Sequence, residues 1–320
     1  MEKGLVVQTD LKINNIPGLI EPIEVAGLEK AASLVQSDEQ IIEFGCYLGR
    51  STQAILNGVS EKESNIDLFV YDQYCVHTRD KFSQTLLNHV KSVNLLDQLY
   101  MDEEHKEKKL HWEKVFDKLV TGPSNVQLVR KKTYVESAET DGVRSIALLH
   151  IDAPKSYDEL KPIFYKFFPL LKVNSRVIFQ DYFYQWSPTL IAFVEVLKQL
   201  NFVEIYEGRA SSLEVILQRP LLEQDILNID LKISMSKNLL HYIEDTINFF
   251  KENKDLVDRP EIHIPKLKMA KVLYAKSVRQ NNVATQTLIE CVRNKEFGAI
   301  FPDLLELIEK DFDQYDFLRK

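Results

Sequence analysis

The sequence has few cysteines, no excess of basic residues and no long apolar run, and each shortage excludes a class of protein. Its three cysteines, Cys46, Cys75 and Cys291, are widely spaced, which excludes a disulfide framework or a CxxC metal site and favours a reducing compartment. Acidic residues outnumber basic ones, 48 to 40, giving a formal net charge of -8, so a general nucleic-acid binder is not expected. No stretch approaches the ~20 apolar residues of a membrane span, and no signal peptide is evident. We therefore expect a cytoplasmic protein without nucleic-acid or membrane partners.

Short apolar runs alternate with helical patterns along the first two thirds of the chain. The runs predict strands at 40–45, 66–72, 126–131, 145–152 and 175–181, and the patterns between them predict helices at 51–57, 79–99, 157–171 and 189–200. The runs are continuous, which is typical of parallel strands covered on both faces. Two further runs, 202–208 and 212–219, are joined too closely for a crossover helix and must pair antiparallel. The predicted fold is α/β: a Rossmann-like sheet of five parallel strands with a C-terminal antiparallel hairpin.

Two segments lie outside this scheme. The stretch 76–121 is a long, charged insertion between the second and third strands, and its charge density predicts a solvated helix that serves as a lid or an oligomer contact. Residues 220–320 are predicted to form a helical C-terminal extension with helices at 221–252, 266–278, 284–295 and 302–312, interrupted by the two prolines of 258–268. We expect a first domain at 1–219 and a helical extension at 220–320 for packing or homo-oligomerisation.

The turn after the first strand has an unusual glycine pattern, EFGCYLGRST. Gly45 and Gly49 are separated by three residues, whereas the dinucleotide fingerprint is G-x-G-x-x-G. Tyr47 stands where a side chain would obstruct a diphosphate, which disfavours a nicotinamide or flavin cofactor. Ser51 and Thr52 can cap the following helix or contact a ligand carboxylate at its N-terminus. The turn therefore suits a smaller ligand with an amino-acid end.

The segment resembles the first motif of class I S-adenosylmethionine-dependent methyltransferases, E/D-x-G-x-x-x-G. Asp72, at the end of the second strand, matches the acid that holds the ribose hydroxyls in that family, since a carboxylate can accept from both hydroxyls. Residues 150–183 resemble a block of the sugar and natural-product O-methyltransferases, the macrocin O-methyltransferase-like group. The resemblance covers roughly 20–219 and does not reach the helical extension. It implies S-adenosylmethionine as cofactor and these binding residues: Glu43, Gly45, Tyr47, Gly49, Ser51, Thr52, Asp72 and Asp152.

The strand ends after the fourth and fifth strands carry candidate catalytic residues. In the sugar O-methyltransferases three carboxylates bind a divalent cation, and the matching positions here are Asp152, Gln180 and Asp181. An amide at Gln180 removes one negative charge and weakens such a site for Mg²⁺. Lys155 keeps the D-x-x-K spacing of the catechol-type enzymes, in which the lysine is the base. This resemblance predicts Lys155 and Asp152 as catalytic residues, with a surface or anion-holding lysine as the alternative.

Several aromatic side chains and one histidine are further candidates. Tyr157 and Tyr182 either line an acceptor site or pack in the core, and Tyr184 and Trp186 can stack on a flat acceptor. His150 lies on the same side of its strand as the catalytic aspartate, where a satisfied core histidine is more common than a catalytic one.

The predicted function is S-adenosylmethionine-dependent O-methylation of a sugar or small-metabolite hydroxyl. Two alternatives stay open. The first is a binding or assembly protein that keeps the cofactor fold without turnover, which the unusual Pro154, Lys155 and Gln180 favour. The second is a nicotinamide-dependent oxidoreductase, which the glycine spacing and the terminal hairpin oppose.

Overall fold

The computed structural model describes residues 13–63, 65–104, 107–235 and 239–296. The chain divides into two compact units, Met1–Ala153 and Pro154–Lys320. Within the described ranges, every helix is too short or too polar to cross a membrane. The three cysteines are buried and form no disulfide.

The first unit is built on four parallel strands in the order β6-β2-β1-β7. These strands are β1 (Gln40–Phe44), β2 (Ile66–Asp72), β6 (Val126–Lys132) and β7 (Ile146–Ile151), and the helices α1 (Pro22–Ser33) and α2 (Arg50–Gly58) accompany them. All residues of β1 and β7 are buried, as expected for central strands covered on both faces. The four strands lie within about two residues of their predicted positions, and the predicted Rossmann-like α/β class is confirmed.

The register of these strands brings three predicted site residues to one edge of the sheet. Phe44 of β1 lies opposite Tyr71 of β2 and Ile151 of β7. The residues that follow, Gly45, Asp72 and Asp152, therefore leave the sheet side by side at its carboxyl edge. Ligands in open α/β sheets bind at this edge.

The insertion between β2 and β6 differs from its prediction. It contains β3 (Cys75–His77), α3 (Lys81–Ser92), β4 (Tyr100–Glu104), β5 (Glu107–His111) and α4 (Glu113–Leu119), and its strands form a second, antiparallel sheet in the order β3-β5-β4. The predicted solvated helix is therefore wrong over most of the charged stretch. Residues of opposite charge face each other across the hairpin, as Asp102 does Lys109, so the charge pattern is that of paired strands.

The second unit contains a three-stranded antiparallel sheet in the order β8-β10-β9. The strands are β8 (Leu171–Phe179), β9 (Val203–Arg209) and β10 (Ser212–Leu217), with α5 (Tyr157–Phe167) before β8 and α6 (Pro188–Gln199) after it. Antiparallel pairing of the terminal hairpin is as predicted. Phe164, Phe168, Phe179 and Phe193 pack edge to face in its core.

The helical extension belongs to this second unit. It comprises α7 (Glu223–Ser234), α8 (Leu240–Glu252), α9 (Pro260–Ser277) and α10 (Asn281–Arg293), and α7, α8 and α9 all contact α6. The predicted helix at 302–312 lies outside the described residues. The boundary near 219–220 stays a prediction, since the compact units divide at Ala153.

The sequence predicted that two prolines would interrupt the helical extension, but both lie within one helix. Pro260 begins α9 and Pro265 lies inside it. Proline is tolerated in the first helical turn because the N–H it lacks would have no partner there. Helix α9 therefore starts six residues earlier than the sequence predicted.

Candidate functional site

The turn between β1 and α2 has three residues in the left-handed region of backbone space. These are Gly45 at φ +82°, Tyr47 at φ +49° and Gly49 at φ +93°. Glycine adopts this conformation without steric cost, whereas tyrosine does not. We call residues 45–49 the glycine loop.

The space beside each glycine of the loop is taken by protein atoms. A Cβ on Gly45 would lie 2.9 Å from the backbone nitrogen of Ala153, just after β7. A Cβ on Gly49 would collide with Val120 and touch the ring of Phe116 at 3.0 Å. The glycines thus permit close packing of the loop against its own unit.

Asp72 holds the glycine loop from the end of β2. One carboxylate oxygen accepts from the N–H groups of Cys46 at 2.9 Å and Tyr47 at 3.1 Å. The other oxygen accepts from the N–H of Tyr74 at 2.7 Å. Two successive N–H groups that converge on one anion form a backbone nest, and here the protein's own carboxylate fills it.

Burial raises the pKa of Asp72 above its ordinary value, and the three backbone N–H groups offset only part of that effect. The Cys46 thiol, a weak donor, also lies 3.5 Å from the first oxygen, so a ligand hydroxyl would bind at the second oxygen, which accepts from the N–H of Tyr74. Asp72 therefore has fewer free acceptor positions for the two ribose hydroxyls than the sequence predicted. Burial, followed by the charges of Asp72 and Glu43, raises the pKa of the Cys46 thiol well above its usual range, so this cysteine is not a nucleophile.

Glu43 lies beneath the loop, fully buried. Its carboxylate accepts from the Thr52 hydroxyl at 2.5 Å and lies 3.2 Å from Nδ1 of His150. Burial alone would lower the pKa of His150, but the hydrogen bond and charge of Glu43 outweigh it and raise that pKa. Glu43 and Thr52 therefore join β1, α2 and β7. His150 is a core histidine, as the sequence favoured, but only its Nδ1 is bonded, and its buried Nε2 has no partner among the described residues.

Helix α2 begins at Gly49 with no side chain capping its N-terminus and no acid in its first turn. Its first N–H groups and the positive end of its dipole are therefore not neutralised by a capping side chain or an acid of the helix. Ser51 lies in this first turn, and the Thr52 hydroxyl is already bonded to Glu43. This end of α2 suits a carboxylate ligand.

The insertion covers the loop from the outside, a feature that sequence reasoning missed. Trp112 donates its indole N–H to the carbonyl oxygen of Tyr47 at 2.9 Å. Phe116 and Val120, one and two turns further along, contact Gly49. The sequence signal for this contact is the spacing of three apolar residues at intervals of four.

The second unit holds the other predicted catalytic residues. Nζ of Lys155 lies 2.5 Å from a carboxylate oxygen of Asp181, and the carboxylate stabilises the charged ammonium. The Gln180 amide is buried and bonded at both ends: Nε2 donates to Ser211 at 2.8 Å, and Oε1 accepts from Ser212 at 2.6 Å. These arrangements do not fit the predicted cation site, because a cation would have to displace an ammonium and a serine.

No group of three or more His, Cys, Asp or Glu residues in the described part of the chain is arranged to bind a metal ion. Asp152, the third predicted ligand, lies in the first unit, where its N–H donates to the carbonyl of Phe44 at 2.8 Å. The structure therefore gives no support to the predicted Mg²⁺.

The aromatic candidates divide into two pairs. Tyr157 and Tyr182 are buried, and the Tyr157 hydroxyl donates to Asp230 at 2.9 Å, so both pack in the core. Tyr184 and Trp186 are half-buried and stacked on each other, with ring centroids 4.5 Å apart. Their stacking surface stays a prediction for acceptor binding.

Comparison with known proteins identifies the central part of the chain. Residues 42–182 match the family model described as a methyltransferase domain. This part of the chain is therefore a methyltransferase domain, and the resemblance predicted from the sequence is confirmed. The match includes every residue predicted to bind the cofactor or a cation and the predicted base, Lys155.

Among solved structures, the O-methyltransferase NovP is 15% identical, with 67% of this chain and 88% of that chain covered and a TM-score of 0.42. The apo structure of CalS11, a TDP-rhamnose 3'-O-methyltransferase, is 16% identical over 66% and 91% of the two chains, with a TM-score of 0.39. The methyltransferase PaMTH1 of Podospora anserina, bound to SAH, is 14% identical over 68% and 89%, with a TM-score of 0.38. No curated protein sequence matches the chain. Likeness at this level does not transfer a substrate.

Proposed function

We propose that this protein, whose residues 42–182 are a methyltransferase domain, transfers the methyl group of S-adenosylmethionine to a hydroxyl of a sugar or small metabolite. The observation that carries the proposal is the arrangement at the carboxyl edge of the first unit. There the uncapped N-terminus of α2 and the carboxylate of Asp72 flank the glycine loop. The cofactor supplies a sulfonium-bound methyl group, and the chain supplies the binding groups and the acceptor site.

The donor set fits the two polar ends of the cofactor. We assign the methionine carboxylate to the free N–H groups of the first turn of α2, near Ser51, because the helix dipole favours an anion there. We assign one ribose hydroxyl to the second carboxylate oxygen of Asp72. Gly45, Tyr47 and Gly49 give the loop its shape.

Glu43 and Thr52 support the site from below. Because both side chains are buried and bonded to each other, we assign them the support of the loop and of α2 rather than direct contact with the cofactor. Asp152 follows β7 beside Gly45, and we retain it as a residue that contacts the cofactor or the acceptor.

Lys155 remains the proposed catalytic residue, with a changed role. An ammonium that is paired with a carboxylate has no free electron pair to accept a proton. We therefore assign Lys155 the stabilisation of negative charge that develops on the acceptor oxygen. No step is assigned to a metal ion.

The test is titration calorimetry with S-adenosylmethionine, S-adenosylhomocysteine and NADH. We expect the first two to bind and NADH not to bind. The bound protein is then offered a panel of sugar and small-metabolite hydroxyls, with and without Mg²⁺, and formation of S-adenosylhomocysteine is measured. Failure of both methionine compounds to bind would overturn the proposal.

A second candidate is a cofactor-binding protein without turnover. The ion pair of Lys155 with Asp181 and the bonded amide of Gln180 favour it, because the predicted base and two predicted cation ligands are engaged within the protein. Binding of the cofactor without product from any acceptor would support this alternative.

A further inference from the structure

Tyr47 is the residue of the glycine loop whose side chain makes its backbone conformation sterically unfavourable. At φ +49° it lies in the left-handed region without being a glycine. Such a residue persists only where surrounding contacts determine its position. The contacts at Tyr47 therefore show what gives the loop its shape.

Tyr47 is held from two sides. Its N–H donates to Asp72 at the end of β2, and its carbonyl oxygen accepts from the indole of Trp112 in the insertion. Its ring packs against Phe82 and the edge of Trp112, and its hydroxyl lies 3.2 Å from Nδ1 of His89. Only the bond to Asp72 comes from a residue that the sequence analysis had assigned to the site.

Trp112 is itself fixed. It is buried, its backbone N–H donates to the carbonyl of Tyr74 at 3.1 Å, and its carbonyl accepts from the N–H groups of Val115 and Phe116. Phe116 packs against the Tyr74 ring with centroids 5.5 Å apart, while its ring edge and Val120 contact Gly49. We call Trp112, Phe116 and Val120 the α4 clamp.

We propose that the α4 clamp holds the glycine loop in its cofactor-binding conformation, with Trp112 as the positioning residue. The inference rests on the proposed function for the identity of the cofactor. It gives the insertion a role on the cofactor loop itself, in addition to any role as a lid. Without the indole N–H, the Tyr47 carbonyl keeps only the weak donor at 3.7 Å, the Cys46 thiol, and the loop relaxes from the shape that aligns α2 and Asp72.

The test is Trp112→Phe, which keeps an aromatic ring and removes the N–H. We expect the affinity for S-adenosylmethionine to fall about fivefold to tenfold, the factor that one net hydrogen bond contributes. The KM for the cofactor should rise by the same factor while kcat at saturation stays unchanged. Hydrogen exchange of the free protein should quicken about fivefold at Cys46, Tyr47 and Gly49, whose amides are bonded within the loop and to Asp72.

Val115→Ala is the matched control. Val115 is buried in α4 next to the clamp, so its truncation loosens the helix without removing the bond to Tyr47. We expect this variant to lose stability while its cofactor affinity stays within twofold of the wild type. Unchanged affinity and unchanged loop exchange in Trp112→Phe would overturn the inference, as would equal affinity losses in the two variants.

The two proposals fail in different ways. A wild-type protein that does not bind S-adenosylmethionine refutes the proposed function, and the exchange measurement on the free protein still decides whether the α4 clamp holds the loop. A wild type that binds the cofactor, with a Trp112→Phe variant that binds it equally and exchanges its loop amides at the same rate, refutes the clamp alone.

Discussion

Asp230 links the helical extension to the rest of the second unit, and its charge should stabilise the folded protein. Its carboxylate accepts from the hydroxyls of Tyr165 at 2.6 Å, Ser234 at 2.7 Å and Tyr157 at 2.9 Å, and it pairs with Lys161 at 2.9 Å. Burial by itself raises the pKa of Asp230, but these four donors outweigh burial and lower that pKa to about 2. Four donors on one carboxylate use about all of its acceptor positions.

The magnitude follows from the change in pKa on folding. A pKa that falls from 3.8 to about 2 corresponds to about 2.4 kcal/mol of stability at neutral pH. Because the pKa is lower in the folded state, this stability is fully present above the unfolded value. It is lost as the pH falls through the folded value, and about half of it remains at pH 3.

The assay is urea denaturation of Asp230→Asn and the wild type between pH 7 and pH 3, followed by circular dichroism. Asparagine preserves the volume and one acceptor but removes the charge. We expect a loss of about 2 kcal/mol at pH 7 that shrinks to about 1 kcal/mol at pH 3. Asp245→Asn is the control, because Asp245 is an exposed carboxylate of α8 whose side chain accepts one hydrogen bond, from Gln199. A loss at Asp230 that is the same at both pH values would refute the electrostatic argument.

Three further predictions concern the site. Gly45→Ala should abolish cofactor binding and cost at least about 1–2 kcal/mol of stability, because the backbone is left-handed there and the new Cβ would lie 2.9 Å from a backbone nitrogen. In the control Gly122→Ala, the new Cβ would lie 3.6 Å from its nearest neighbour, so binding and stability should both be unchanged. A Gly45→Ala variant that binds the cofactor normally would contradict the steric argument. Lys155→Ala should leave cofactor binding unchanged and lower turnover about a hundredfold. Lys155→Arg keeps the positive charge but cannot act as a base, so its turnover should stay within about tenfold of the wild type. If the arginine variant is as inactive as the alanine variant, Lys155 acts as the base after all. Treatment with EDTA should leave turnover unchanged, and a loss that Mg²⁺ restores would show that a cation site forms after all.

The strands of the first unit could be predicted from sequence because their signal is local. Continuous apolar runs that end at an acid or a glycine mark buried parallel strands, and β1, β2 and β7 follow these marks closely. Because the carboxyl ends of parallel strands lie at the same edge of a sheet, the strand ends also predicted that Gly45, Asp72 and Asp152 lie together at that edge. The sequence signal for the terminal hairpin was also local, because the short connection between β9 and β10 allows only antiparallel pairing.

The contacts that shape the site could not be predicted, because they join residues far apart in the chain. Trp112 reaches Tyr47 across 65 positions, and the spacing of the α4 clamp is equally typical of ordinary helix packing. Asp230 reaches Tyr157 across 73 positions. The charged hairpin was mistaken for a helix because its charges balance across strands, which sequence periodicity does not record.

The structure gives a different reason why the glycine loop disfavours a dinucleotide. From the sequence, the side chain of Tyr47 was expected to obstruct a diphosphate. In the structure, the N–H groups of Cys46 and Tyr47 already donate to Asp72, and a diphosphate needs such N–H groups for itself. A pyrophosphate would also bring negative charge against a buried carboxylate, whereas a ribose hydroxyl can donate to it. We propose that the loop selects by charge: Asp72 disfavours an anion at the nest and accepts a hydroxyl beside it, while the N-terminus of α2 suits a single carboxylate. A ribose next to an amino acid meets both conditions, whereas a dinucleotide has the ribose hydroxyls but would place its pyrophosphate at N–H groups that already donate to Asp72.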